Sequence, residues 1–331
     1  VVHPKQSPAS GDRSPTGEDA VLERIGRRLA DLLGPPPPGE IWSGDDAAVI
    51  TVPSHDGNAR LVFTTDAVVG GVHVDLSLMD ARDVGWKALT TAVSDIAAMG
   101  GVPAQAVVTV CAPPGTEVDE IAEGVGEAAL RWRCPVVGGD LTGGAELVVS
   151  VAVIGTLEGE APPVLRSGAR PGDSLFVTGP LGRSAAGLRL LGDRPGPGPA
   201  DDGARSDLEH AYRRPLARLD EGRAARDGGA TAMMDISDGL GLDLHRLAAA
   251  SQVGVVLETL PVADGATEAE ALGGGEDYEL LIAVVDGERL AALFASRGLR
   301  PPLRIGRCTG DPKERQYGSD PLPMSGYQHT L

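Results

Sequence analysis

The chain has 331 residues, which at roughly 100–200 residues per domain points to two domains, each long enough to bury its own core. Acidic residues outnumber basic ones 47 to 29, and the resulting charge of −18 repels phosphate backbones, which argues against nucleic acid as a partner and favours metal cations. Aromatics are only 3% of the chain, and its 46 Gly and 26 Pro follow no period, so the cores are aliphatic, turns are many and a collagen-like fibre is excluded.

Residues 1–17 are polar, Pro-rich and aperiodic, the composition of a disordered lead. Val21, Ile25, Leu29 and Leu32 recur at helical spacing over 18–33, and the prolines at 35–38 end that helix. Short β-like runs follow at 47–52 and 60–66. A strong helix is expected from Asp83 to Met99, capped by Asp80 or Asp83 and stopped by Gly100-Gly101. Its bulky stripe is Trp86, Leu89, Val93 and Ile96. A second stripe of Val84, Ala88 and Thr91 ends on Asp95, either a ligand-facing carboxylate or an exposed helix charge.

A strand at 104–111, a helix at 118–132 and strands at 135–140 and 146–155 complete the first half. The Pro/Gly-rich stretch 157–173 reads as the domain boundary. A strand at 174–179 leads through a glycine turn to a helix over 184–192, then a flexible loop at 192–207 and a helix at 208–227. TAMMDISDG (231–239) is a strand ending in acidic residues. Leu240, Leu244 and Leu247 mark a helix, the runs 254–261 and 278–285 read as strands, and 289–298 reads as a helix. No repeat of 20–50 residues is present.

Cys111, Cys134 and Cys308 make neither a paired framework nor a CxxC, which fits a reducing compartment. With no apolar run near 18 residues and no signal pattern, the expectation is a cytoplasmic chain with no membrane partner.

Five acidic-glycine segments stand at strand ends or turns: GDDAA (44–48), TTDAVVGG (64–71), GGD (138–140), DISDG (235–239) and GGGED (273–277). Glycine lets backbone approach a ligand while the carboxylate holds a hard cation such as Mg²⁺. Each pair taken alone also fits a plain turn. DISDG is no EF-hand, because the positions that need Gly and Glu hold Leu240 and Arg246. No Walker, GxSxG, HExxH or HRD motif is present. GPLGRSAAG (179–187) could offer N–H groups to a phosphate or could be a structural strand-to-helix turn. Among six His, only His73, behind a glycine pair, has an informative setting.

Taken in order, GDDAAV, TTDAVVGGVHVD, WKALTTAVSDIAAMGG, VVGGDLTGG, RSGARPGD with VTGPLGRSAAGL, DISDGLGLDL and GGGEDYEL resemble the thiamine-monophosphate kinases. These belong to the AIR-synthase-like (PurM-like) ATP-utilising superfamily, and the likeness covers roughly 40–285. The resemblance implies an α+β fold of two PurM-like domains with mixed sheets packed by helices. The N-terminal domain (18–156) would carry the metal and ATP site and the dimer contacts. Residues 157–173 would be the linker and 174–331 the C-terminal domain.

It also implies a homodimer that moves the ATP γ-phosphate to thiamine monophosphate, using several Mg²⁺ ions. Carried over, the metal ligands are Asp46, Thr64, Thr65, Asp66, Asp95, Asp140, Asp235 and Asp238. ATP would meet Gly139, Asp140, Arg166 and Ser237, while His73, Glu276 and Tyr327 would face the thiamine phosphate. The chain departs from the family's G-aromatic-Asp-His-Phe by reading GYQHTL at 326–331.

The chemistry suits these residues. A phosphate monoester with a second pKa of about 6 is already an oxyanion at neutral pH, so no general base is needed. Two unit charges 4 Å apart interact by about 4 kcal/mol at an effective dielectric near 20, so neutralisation dominates. Another ATP-using enzyme of the superfamily, or a non-catalytic Mg-nucleotide binding module, remains open from sequence.

Overall fold

The computed structural model describes residues 18–54, 57–159, 161–193 and 203–329. The expected disordered lead at 1–17, and most of the expected loop at 192–207, lie outside these residues. The first half runs α1 (Glu18–Leu33), β1 (Ala48–Ser54), β2 (Gly57–Val69), α2 (Ala81–Ala98), β3 (Val102–Ala112), α3 (Val118–Trp132), β4 (Val136–Gly143) and β5 (Val148–Thr156). The second runs β6 (Ser174–Val177), α4 (Arg183–Gly192), α5 (Gly203–Arg213), α6 (Leu219–Asp227), β7 (Ala230–Asp235), α7 (Leu240–Ser251) and β8 (Gly254–Leu257). It continues with α8 (Glu268–Gly273), β9 (Leu280–Val284), α9 (Gly287–Ser296), β10 (Leu303–Thr309), β11 (Arg315–Tyr317) and β12 (Asp320–Pro321).

The single helix expected over 208–227 is two helices, because Pro215 in the RRPLA segment cannot continue the ladder. The first of them begins at Gly203, so the described end of the expected loop is helical.

In the first sheet the order is β1-β2-β5-β3-β4, antiparallel except for β3 beside β4. Alternation decides its faces. Thr64, Asp66 and Val68 of β2 share the helix-covered face with Val149, Val151 and Val153 of β5. Phe63 and Thr65 point the other way, in rows with Ile154 and with Ala152 and Val107. Among the described residues nothing covers that face, and Phe63, Val107 and Ile154 are exposed. The second sheet has seven strands in the order β12-β11-β8-β10-β6-β9-β7, with only β11 and β8 parallel.

Helix α2 organises both halves. Asp80 caps it by accepting the Asp83 N–H at 2.7 Å. It crosses α3 so closely that a Cβ on Gly85 would stand 2.0 Å from the Ile121 carbonyl oxygen. Leu89, Val93 and Ile96 fill the core under the first sheet. Its last turn, Ala97 and Ala98, is buried instead with Phe176, Met233, Leu280 and Ile282 of the second half.

Candidate active site

Between the halves, the ends of three segments converge. Asp46 lies in the bend before β1, Asp95 in the last turn of α2, and Asp235 at the end of β7. One carboxylate oxygen from each lies within 4.8 Å of the others. Thr64 donates to Asp95 Oδ2 at 2.5 Å, and Ser94 donates to Asp235 Oδ2 at 2.5 Å. Asp66 stands on the same sheet face as Thr64, and its charge is felt by Asp95 and Asp235.

Crowded burial of like charge has a clear electrostatic result. Asp95 is held well above the ordinary carboxylate range, by burial first and then by Asp235, Asp66 and Asp46. Asp235 is pushed the same way by burial and by Asp46. Burial also raises Asp46 despite the opposing Arg166. Asp45, buried next to Asp46, rises to about 7. Such a group of oxygen donors is a poor arrangement for protein alone and a good one for a hard divalent cation.

Arg166 is the cation that closes one side. Its guanidinium donates to Asp46 Oδ1 at 2.7 Å, and its backbone N–H is shared by both Asp45 oxygens at 3.2 Å. Among the described residues, Asp46 Oδ2 and Arg166 Nε are buried with no hydrogen-bond partner, although Arg166 Nε lies 4.0 Å from Asp45 Oδ1. An unpaired buried carboxylate oxygen beside two further carboxylates fits an Mg²⁺ ligand set.

Asp238 sits just beyond β7, bonded to Arg246, which also reaches Asp243 at 3.2 Å and Asp19 at 3.3 Å. Asp243 accepts the N–H groups of Asp238 and Gly239 at 3.2 Å each, and burial lifts it to about 7. The Ser237 carbonyl takes the Glu276 N–H at 2.7 Å, and Ile236 takes that of Tyr278 at 3.0 Å. The loop is held with Glu276 at φ +66° and Tyr278 at φ +50°, left-handed values that cost non-glycine residues energy and cluster at functional sites.

A second cluster lies beside this loop. His73 Nδ1 accepts the Val69 N–H at 3.0 Å, leaving the proton on Nε2, and burial lowers its pKa. Its ring meets that of His329 edge-on at 5.2 Å, and His329 meets Tyr327 at 4.9 Å. The Tyr327 N–H donates to the Asp238 carbonyl at 2.9 Å, so the GYQH segment lies over the site.

Thr65, Gly139 and Asp140 are not gathered into either cluster. Asp140 pairs with Thr109 and so shares the uncovered sheet face with Thr65, while Gly139 lies on exposed β4. The glycine loop 179–187 is also resolved as structural rather than phosphate-binding: Asp277 accepts the N–H groups of Gly182 and Ser184 at 2.5 and 3.1 Å and fills the α4 N-terminus.

Sequence reasoning missed Lys87, Ser94, Arg246 and His329. For the first two a signal existed: Lys87, Thr91, Ser94 and Asp95 fall at i, i+4, i+7 and i+8, a polar stripe on a helix whose other polar residues are Arg82, Asp83 and Thr90.

The AIR synthase related protein N-terminal domain matches residues 44–157, and the C-terminal domain of the same family matches 170–318. The thiamine-monophosphate kinase of Mycobacterium tuberculosis is 38% identical over 309 residues, covering 87% of this chain and 87% of that protein. That of Bacillus subtilis is 37% identical over 254 residues, 73% of this chain and 76% of its own length. The solved structure of AaThiL complexed with AMPPCP and TMP has a TM-score of 0.79 and 31% identity, covering 97% of this chain and 99% of that one. No described helix is long and apolar enough to cross a membrane. The chain belongs to the AIR synthase related family and, within it, to the thiamine-monophosphate kinases.

Proposed function

We infer that this protein transfers the γ-phosphate of ATP to the phosphate of thiamine monophosphate, giving thiamine diphosphate and ADP. The observation that carries this is the convergence of Asp46, Asp95 and Asp235, with oxygens within 4.8 Å, in a chain whose relatives are thiamine-monophosphate kinases. The acceptor is itself an oxyanion at neutral pH, so positioning and neutralisation suffice.

Asp46, Thr64, Asp66, Asp95, Asp235 and Asp238 would hold more than one Mg²⁺, whereas Thr65 and Asp140, on the opposite face of the first sheet, are left out of this ligand set. Bound Mg²⁺ supplies the positive charge that offsets the transferring phosphoryl group. Arg166, a rigid fork already turned towards Asp46, would steady a nucleotide phosphate together with Ser237, while Gly139 and Asp140 stand apart on β4. His73, Glu276 and Tyr327 would line the acceptor pocket. Tyr327 offers a ring face to the cationic thiazolium, and the His73 Nε2–H offers a donor to phosphate oxygen.

We further propose a cytoplasmic homodimer of two-domain protomers, divided at 157–173. The uncovered face bearing Phe63, Val107 and Ile154 supports the dimer, because an apolar sheet face of this kind wants a second layer.

The test is purified protein with Mg-ATP and thiamine monophosphate, assayed by chromatography. Stoichiometric thiamine diphosphate and ADP, lost in EDTA, is the expected result. ADP without thiamine diphosphate points to another acceptor, and no ADP points to a nucleotide-binding module.

A further inference from the structure

Lys87 has none of its side chain exposed, although it lies on α2 among apolar neighbours. Its ammonium donates to Glu276 Oε2 at 2.8 Å and lies 3.5 Å from the His73 carbonyl oxygen. It also sits 4.3 Å from the centroid of the Tyr212 ring. Four segments of the chain thus meet at one buried charge: α2, the turn after β2, α5 and the GGGED loop. Among the described residues, Lys87 is the only side chain hydrogen-bonded to the Glu276 carboxylate.

Stability alone is a weak reason to bury such a pair, since well-packed apolar residues of similar volume often do as well or better. The position of the pair supplies a stronger one. Lys87 and Asp95 lie on one face of α2, eight residues and about 12 Å apart along the axis. One rigid helix therefore spans from the Glu276 pocket to the carboxylate cluster. Without the ammonium, Glu276 would be a free side chain on a loop, its charge uncompensated and its rotamer unfixed.

We propose that Lys87 is a positioning residue for the acceptor: it anchors Glu276 Oε2 so that the other carboxylate oxygen faces the thiamine moiety in a fixed place. This rests on the reading of the site as a thiamine monophosphate kinase.

The experiment compares the full-length wild type with K87M, E276Q and K87M/E276Q. Thiamine monophosphate affinity is measured by calorimetry, and KM and kcat are measured for both substrates. K87M should raise the KM and Kd for thiamine monophosphate by about tenfold, with kcat and the KM for ATP changing less than about threefold. In the double variant the effect should equal that of E276Q alone, since the lysine acts only through the glutamate. If K87M does not fold, the comparison of K87M/E276Q with E276Q, both of which lack the Glu276 carboxylate, decides the matter by the same equality. Multiplicative losses in the double variant, equal losses for both substrates, or an unchanged acceptor affinity in K87M overturn the proposal. A wild type that neither binds nor phosphorylates thiamine monophosphate overturns the kinase reading and this inference with it. An active wild type with an unaffected K87M overturns the inference alone.

Discussion

The hydroxyl of Ser94 and the carboxylate of Asp235 are joined by a 2.5 Å hydrogen bond across 141 residues of sequence. The bond fixes the end of β7 against the last turns of α2 and sets Asp235 beside Asp95. A hydrogen bond to a charged acceptor is worth roughly 1.5–3 kcal/mol. Ser94→Ala should therefore lower stability by about that amount and raise the Mg²⁺ concentration for half-maximal turnover, read from kcat against Mg²⁺.

The carboxylates should separate activity from folding. Asp95→Asn and Asp238→Asn remove candidate ligands, and losing several kcal/mol of charge stabilisation corresponds to about 10²–10⁴ in kcat. Far-ultraviolet circular dichroism should remain that of the wild type. Asp95→Asn should also raise the melting temperature in EDTA, since it removes one of the crowded buried charges.

A pH dependence follows from the same crowding. Asp45 moves from an ordinary value of 3.8 to about 7, chiefly through burial and Asp46, and burial takes Asp243 to about 7. A carboxyl raised on folding binds more protons in the folded state than in the unfolded one. Its contribution is fully present below about pH 4 and is lost as the pH climbs through 7. Stability in EDTA should therefore weaken between about pH 4 and 7 and level off above that, and saturating Mg²⁺ should flatten that slope.

Close packing of α6 on α2 gives a further test. A Cβ on Gly222 would lie 2.1 Å from the Ala97 carbonyl oxygen, two residues from Asp95. Gly222→Ala must push α6 away, at about 1–3 kcal/mol for an overpacked contact. Because the same movement disturbs the end of α2, kcat should fall along with the melting temperature.

Local pattern made much of this fold legible. The stripe of Leu89, Val93 and Ile96 announces α2, and Asp80 with Gly100 marks its ends. The order of the acidic-glycine strings pointed to the family. What stayed hidden depends on distance in space. Nothing near Pro215 in the periodicity separates α5 from α6 except the proline itself, and the apolar count carried the helix across it. Asp277 as the anion of the α4 N-terminus requires residues 93 and 95 positions apart to meet. Lys87 shares a polar stripe with Ser94 and Asp95, but its partner Glu276 stands 189 residues on and no local pattern links the two. Thr64 and Thr65 read alike in sequence, yet the pleat sends one towards Asp95 and the other to the uncovered face.

The shared end of α2 bears on how the molecule comes apart. Ala97 and Ala98 belong to the apolar core of the second half, and Val164 of the joining stretch lies in that core with them. A fragment cut near residue 157 would carry those alanines into water and leave Phe176, Met233 and Leu280 without a cover. The two halves should therefore melt in a single calorimetric transition.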